Sequence, residues 1–125
     1  MTLRILLATI LLAGTLVAPT QARLAAANMR ITMIDYAFEP AEQTITVGDS
    51  ITWQNDGQEV HNLFDLGGTW ESPALNGGQT YTFTFTTPGT YTYVCSIHSG
   101  MLGTISVVEP APPPQMKIYI ATIQH

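Results

Sequence analysis

A thiolate, an imidazole and a thioether stand within seven residues of one another in the segment 91–101, which reads Y-T-Y-V-C-S-I-H-S-G-M. Cys95 is the one cysteine of the chain, and His98 and Met101 follow it in the pattern C-x₂-H-x₂-M. Sulfur donors of this softness suit copper, and two histidines with one cysteine plus a weak axial methionine make a copper electron-transfer centre. The segment lacks one histidine of that set. His61, in E-V-H-N and 34 residues before Cys95, is the natural candidate, whereas His125 ends an apparent tail. One ligand from the framework facing three on a single loop would keep the geometry nearly constant between Cu(I) and Cu(II). Such a site favours electron exchange over chemistry on a substrate.

The elements that must position these donors read as strands. Residues 80–86 are T-Y-T-F-T-F-T, with threonines on one face and Tyr81, Phe83 and Phe85 on the other. That is a period of two, incompatible with a helix that buries one stripe. Pro88-Gly89 turns the chain, and 90–95 returns with Tyr91, Tyr93 and Cys95 on one face, aiming the sulfur into the core. Gly100 and Gly103 permit the tight backbone that would bring His98 and Met101 back toward it. Earlier in the chain, strands are expected at 30–34, 43–47 and 50–54. A bend at 35–40 (D-Y-A-F-E-P) closes on Pro40, and Asn55-Asp56-Gly57 is a further turn. His61 lies in a short apolar segment, 60–66, and Trp70 in a long connection, 67–78; residues 103–108 form the last strand. Seven to eight short strands separated by turns predict an all-β, antiparallel Greek-key β-sandwich.

Residues 1–22 read as an export signal: Arg4, an apolar run over 5–18, Pro19, then Thr20-Gln21-Ala22 as a small-x-small cleavage site. The run is about 14 residues, short of the roughly 20 that span a bilayer. An uncleaved anchor and a later cut within 25–27 are the alternatives. A leader at 23–29, a domain at 30–109, a proline-rich linker at 110–115 and a tail at 116–125 complete the organisation. The tail reads as an added edge strand, the start of a further domain or an incidental extension. The net charge is −5, and loss of residues 1–22, with one arginine and no acid, would take it to −6. Nucleic-acid binders carry basic patches, so this balance excludes that class and direct adhesion to anionic lipid. A lone cysteine cannot close an internal disulfide, and in an exported chain metal ligation accounts for it best.

The chain resembles type 1 (blue) copper proteins of the cupredoxin superfamily, similar to the plastocyanin, amicyanin and halocyanin group. The resemblance spans 30–108 and rests on F-E-P (38–40), V-G-D-S-I-T-W-Q-N (47–55), H-N (61–62) and P-G-T-Y-T-Y-V-C-S-I-H-S-G-M-L-G (88–103). It implies copper ligation by His61, Cys95, His98 and Met101, with His98 in an apolar surface patch as the electron exit. It also implies that Asn62 and Ser96 tie the two ligand-bearing segments together, with the Asn62 backbone amide directed at the Cys95 sulfur. Bonds of this kind orient ligands and tune the potential. The His98–Met101 spacing matches the short amicyanin-type loop. Ile97 stands where many relatives carry proline, and Val94 replaces the exposed tyrosine of photosynthetic plastocyanins.

The expected function is therefore an exported, periplasmic or extracellular carrier of single electrons, monomeric and cycling one copper ion between Cu(II) and Cu(I). Redox partners would dock transiently over His98, with Ile97, Met101 and Leu102 nearby; acidic Glu39, Glu42, Asp56 and Glu59 read first as a solvated surface and second as a bias toward basic partners. A copper-binding or delivery module is the alternative, although Met29, Met33 and Met116 form no cluster. An enzyme is not expected: further coppers need further histidines, and Cys95 is flanked by Val94 and Ser96.

Overall fold

The computed structural model describes residues 25–115, together with Gly14. Apart from Gly14, the expected signal segment lies outside the described residues, as does the tail at 116–125. Eight strands are present and, among the described residues, no helix: β1 (Asn28–Ile34), β2 (Ala37–Glu39), β3 (Glu42–Thr46), β4 (Ser50–Asn55), β5 (Phe64–Asp65), β6 (Thr80–Thr84), β7 (Gly89–Val94) and β8 (Leu102–Val108). They form two four-stranded sheets, ordered β2-β1-β4-β6 and β3-β8-β7-β5. The all-β sandwich expected from the alternating segments is what forms.

Each sheet is mixed, with antiparallel neighbours and one parallel pair, β1 with β4 and β3 with β8. The reason is the path of the chain. From β2 to β7 it crosses between the layers at each connection, so strands that pair within a sheet are seldom consecutive. Pairing also starts β1 earlier than alternation alone suggests. Asn28 sits opposite Ser50, and Ala27 N–H donates to Asp49 Oδ1 at 2.8 Å.

Period-two burial builds the core between the layers. Ile31 and Met33 of β1, Ile51 and Trp53 of β4, and Ile105 and Val107 of β8 all point inward. On the outer face of the first sheet hydroxyls pair across strands, Ser50 with Thr84 at 2.7 Å and Thr52 with Thr82 at 2.8 Å. Phe85 is buried, but Tyr81 and Phe83 are only half-covered, because β6 is the edge strand of its sheet. Trp70, from the long connection, stacks on them, 6.4 Å from Tyr81 and 5.5 Å from Phe83, and meets Trp53 at a tilt with centroids 5.0 Å apart. At the centre Trp53 Nε1–H donates to the Tyr93 hydroxyl at 3.1 Å, which satisfies both polar atoms inside an apolar layer. Burial pushes the Tyr93 phenol up to about 12.

Gly103 has a purpose other than turning the loop. It faces Tyr93 across β7 and β8, and a Cβ there would collide with the tyrosine ring. Gly100, with φ of 83°, is the residue that turns the chain.

Candidate metal centre

His61, Cys95 and His98 meet at one end of the sandwich. Cys95 directly follows β7, and its N–H donates to the Met101 carbonyl at 3.0 Å, which closes residues 95–101 into a compact loop. His61 is fixed from the other side. It exchanges backbone hydrogen bonds with Leu75, His61 N to Leu75 O at 3.1 Å and Leu75 N to His61 O at 2.7 Å. The buried Asn55 amide braces the same region, donating to Glu59 O and Leu75 O, both at 2.8 Å, and accepting from Gly57 N–H at 2.9 Å. The turn signal at 55–57 is therefore also the support of His61.

His61 Nδ1, Cys95 Sγ and His98 Nδ1 form a triangle with sides of 3.8, 3.7 and 3.1 Å. The point equidistant from all three lies about 2.1 Å from each, close to ordinary metal–imidazole and metal–thiolate bond lengths of roughly 2.0–2.3 Å. One ion thus fits among them with no side-chain movement, and a soft-donor trigonal set of this kind suits copper. His61 is wholly buried, Met101 is 1% exposed and Cys95 3%, while His98 reaches partly into solvent. Burial pushes the His61 imidazole below its ordinary value, His98 adds to this, and Asp35 and Glu59 oppose it. A neutral ring is the form that can ligate.

Asn62 and Ser96 hold the two segments together. Ser96 N–H donates to Asn62 Oδ1 at 2.9 Å, and Asn62 Nδ2 donates to Ser96 Oγ at 2.8 Å. The contact from Asn62 to the sulfur runs through its side chain, with Cys95 Sγ 3.5 Å from Oδ1. Met101 is buried beneath the loop and does not form part of the outer surface. Exposed apolar side chains beside His98 are its chain neighbour Ile97 and Tyr36, and Leu102 is exposed at the start of β8. Asp56 is engaged locally, by Arg30 at 3.2 Å and Gln54 at 2.6 Å.

Two residues that the spacing of the sequence does not single out also reach the site, both from the turn between β1 and β2. Asp35 Oδ1 lies 4.0 Å from His61 Nε2. The Tyr36 ring meets the His98 ring edge-on, with centroids 5.2 Å apart. The signal available for them was the bend D-Y-A-F-E-P, which places a carboxylate and an aromatic together in one turn.

Comparison with known proteins agrees with this arrangement. A family model described as a cupredoxin-like domain matches residues 6–107. Amicyanin-alpha of Methylorubrum extorquens is 33% identical over 102 residues, covering 78% of this chain and 84% of its own. Plastocyanin of Scenedesmus fuscus is 40% identical over 83 residues, covering 56% of this chain and 85% of its own. Among solved structures, a copper-containing nitrite reductase from Thermus scotoductus SA-01 superposes with a TM-score of 0.63 at 30% identity, over 67% of this chain and 23% of that one.

Proposed function

The chain belongs to the cupredoxin-like family, and we propose that it is an exported blue-copper electron carrier with one mononuclear type 1 centre. Its ligands are His61, Cys95, His98 and Met101. The observation that carries this reading is the triangle of two imidazole nitrogens and one sulfur around a point at metal-bonding distance. Bound there, copper supplies a one-electron Cu(II)/Cu(I) couple. The chain's own part is to hold the donors still. His61 is locked by Leu75 and Asn55, Cys95 by the Met101 carbonyl, and the two segments by Asn62 and Ser96. Burial of His61, Cys95 and Met101 keeps water from the centre, which leaves little to reorganise when the charge changes.

His98 is the ligand that reaches the surface, and electrons pass through it. The exposed Ile97 and Tyr36 beside it make a small apolar contact area suited to a weak, brief encounter with a redox protein. The protein acts as a monomer in the periplasm or outside the cell, reached through its N-terminal segment, and binds neither nucleic acid nor membrane surface. It is not itself an enzyme: Cys95 is flanked by Val94 and Ser96, so no histidine stands beside it to reach a second copper.

The test sets electron exchange against metal exchange. Mixed Cu(I) and Cu(II) protein should exchange electrons fast enough to average its nuclear resonances, while copper stays bound against an excess of chelator. Slow electron exchange with rapid loss of copper would replace the carrier by a copper-delivery module.

A further inference from the structure

The turn between β1 and β2 carries two side chains, of Asp35 and Tyr36, that reach the site. Tyr36 has φ of 71°, the one positive value outside glycine among the described residues; the two-residue loop between paired Ile34 and Ala37 calls for such a value, but glycine or asparagine is the usual residue to supply it. Its side chain is 61% exposed, so core packing does not explain the conformation. The ring is instead set edge-on against His98, at 5.2 Å and 80° between planes.

Asp35, the preceding residue, works on the other imidazole. Its Oδ1 accepts the amides of Gln58 and Glu59 at 2.8 and 3.1 Å and lies 4.0 Å from His61 Nε2. That nitrogen is buried without a hydrogen-bond partner. With Nδ1 turned to the metal, the ring's proton must sit on Nε2, facing the carboxylate. The adjoining loop is shaped around this acid, since a Cβ at Gly57 would collide with it. A carboxylate beyond a ligating histidine makes the ring a stronger donor, and its charge favours the higher oxidation state of the metal.

We propose that Asp35 and Tyr36 are positioning residues of the copper centre: Asp35 lowers the reduction potential through His61, and Tyr36 retains His98 against dissociation. This rests on the copper reading above. The full-length protein is therefore first loaded with Cu(II) and its visible band recorded. Absence of the band in the unaltered protein would fail that reading, not this one.

With the band present, Asp35→Asn keeps an oxygen for the two amides and removes the charge. It should shift the redox equilibrium toward Cu(I) by about three- to tenfold, roughly 30–60 mV at 59 mV per tenfold for one electron. Asp35→Glu should stay within about twofold. Asp35→Ser is a second neutral variant that keeps an oxygen near the loop. Neutral variants that leave the potential unmoved, or lower it, overturn the role of Asp35 whatever they do to stability. So does loss of copper by both while Asp35→Glu retains it, because the acid would then only hold the loop. Tyr36→Asn keeps a residue that tolerates the left-handed backbone and deletes the ring. It should speed copper loss to a chelator several-fold, with the metal-free protein's denaturant midpoint unchanged or higher. An unchanged rate, or a lower midpoint that accounts for a faster one, overturns the role of Tyr36.

Discussion

His61 and His98, 37 residues apart in the chain, bring their Nδ1 atoms to 3.1 Å, closer than either comes to the Cys95 sulfur. Without an ion one ring must donate a proton to the other. With an ion between them both can direct lone pairs at the same point, and both rings carry their proton on Nε2. The partnerless, buried Nε2 of His61 beside Asp35 is consistent with that second arrangement.

The link between the two ligand-bearing segments should be measurable in its own right. Asn62→Ala removes the bonds to the Ser96 amide and hydroxyl. Denaturant unfolding of the copper-loaded protein should show a loss of about 1–2 kcal/mol. A change within about 0.3 kcal/mol would mean that the segments are held by packing alone.

Gly103→Ala tests whether that glycine serves the Tyr93 ring and not the loop. The added methyl meets the ring across β7 and β8, and overpacking of this kind costs about 1–3 kcal/mol. Combining it with Tyr93→Leu should recover part of that loss, since contacting sites do not add. Additive losses in a double-mutant cycle would contradict the contact.

Alkaline stability should report the buried phenol of Tyr93. Its folded value is about 12 against an unfolded value of 10.0, so between these the native state keeps a proton that the unfolded chain loses. Stability therefore falls as pH rises through 10 to 12, by up to about 1.4 kcal/mol per unit, and levels off above that range. Tyr93→Phe removes this component, and the difference between the two proteins' denaturant midpoints from pH 9 to 12.5 isolates it. Parallel slopes would contradict it.

Much of this was legible in the chain. The run T-Y-T-F-T-F-T and the return through Tyr91, Tyr93 and Cys95 state a period of two, and that suffices for a sandwich with the sulfur facing inward. Period says which face is buried but not which strand lies alongside. The parallel pairings and the edge position of β6, which leaves Tyr81 and Phe83 half-covered, were therefore not readable. The apolar segment at 60–66 misleads for a similar reason. Phe64 is 40% exposed while Asp65 is buried, its carboxylate taken by the Thr69 amide at 2.9 Å. Local spacing draws attention to Cys95, His98 and Met101, and the fold brings the first two together with His61. Spacing could not find Asp35 and Tyr36, because their approach to His61 and His98 depends on a left-handed turn and on the packing of distant segments.

Copper ligation by the Cys95 thiolate would show first in the visible absorption spectrum after addition of Cu(II). The unaltered protein should develop an intense thiolate-to-copper band that a mild reductant bleaches and reoxidation restores, and Cys95→Ser should fold without it. A pale complex, or a band that survives in Cys95→Ser, would contradict the account.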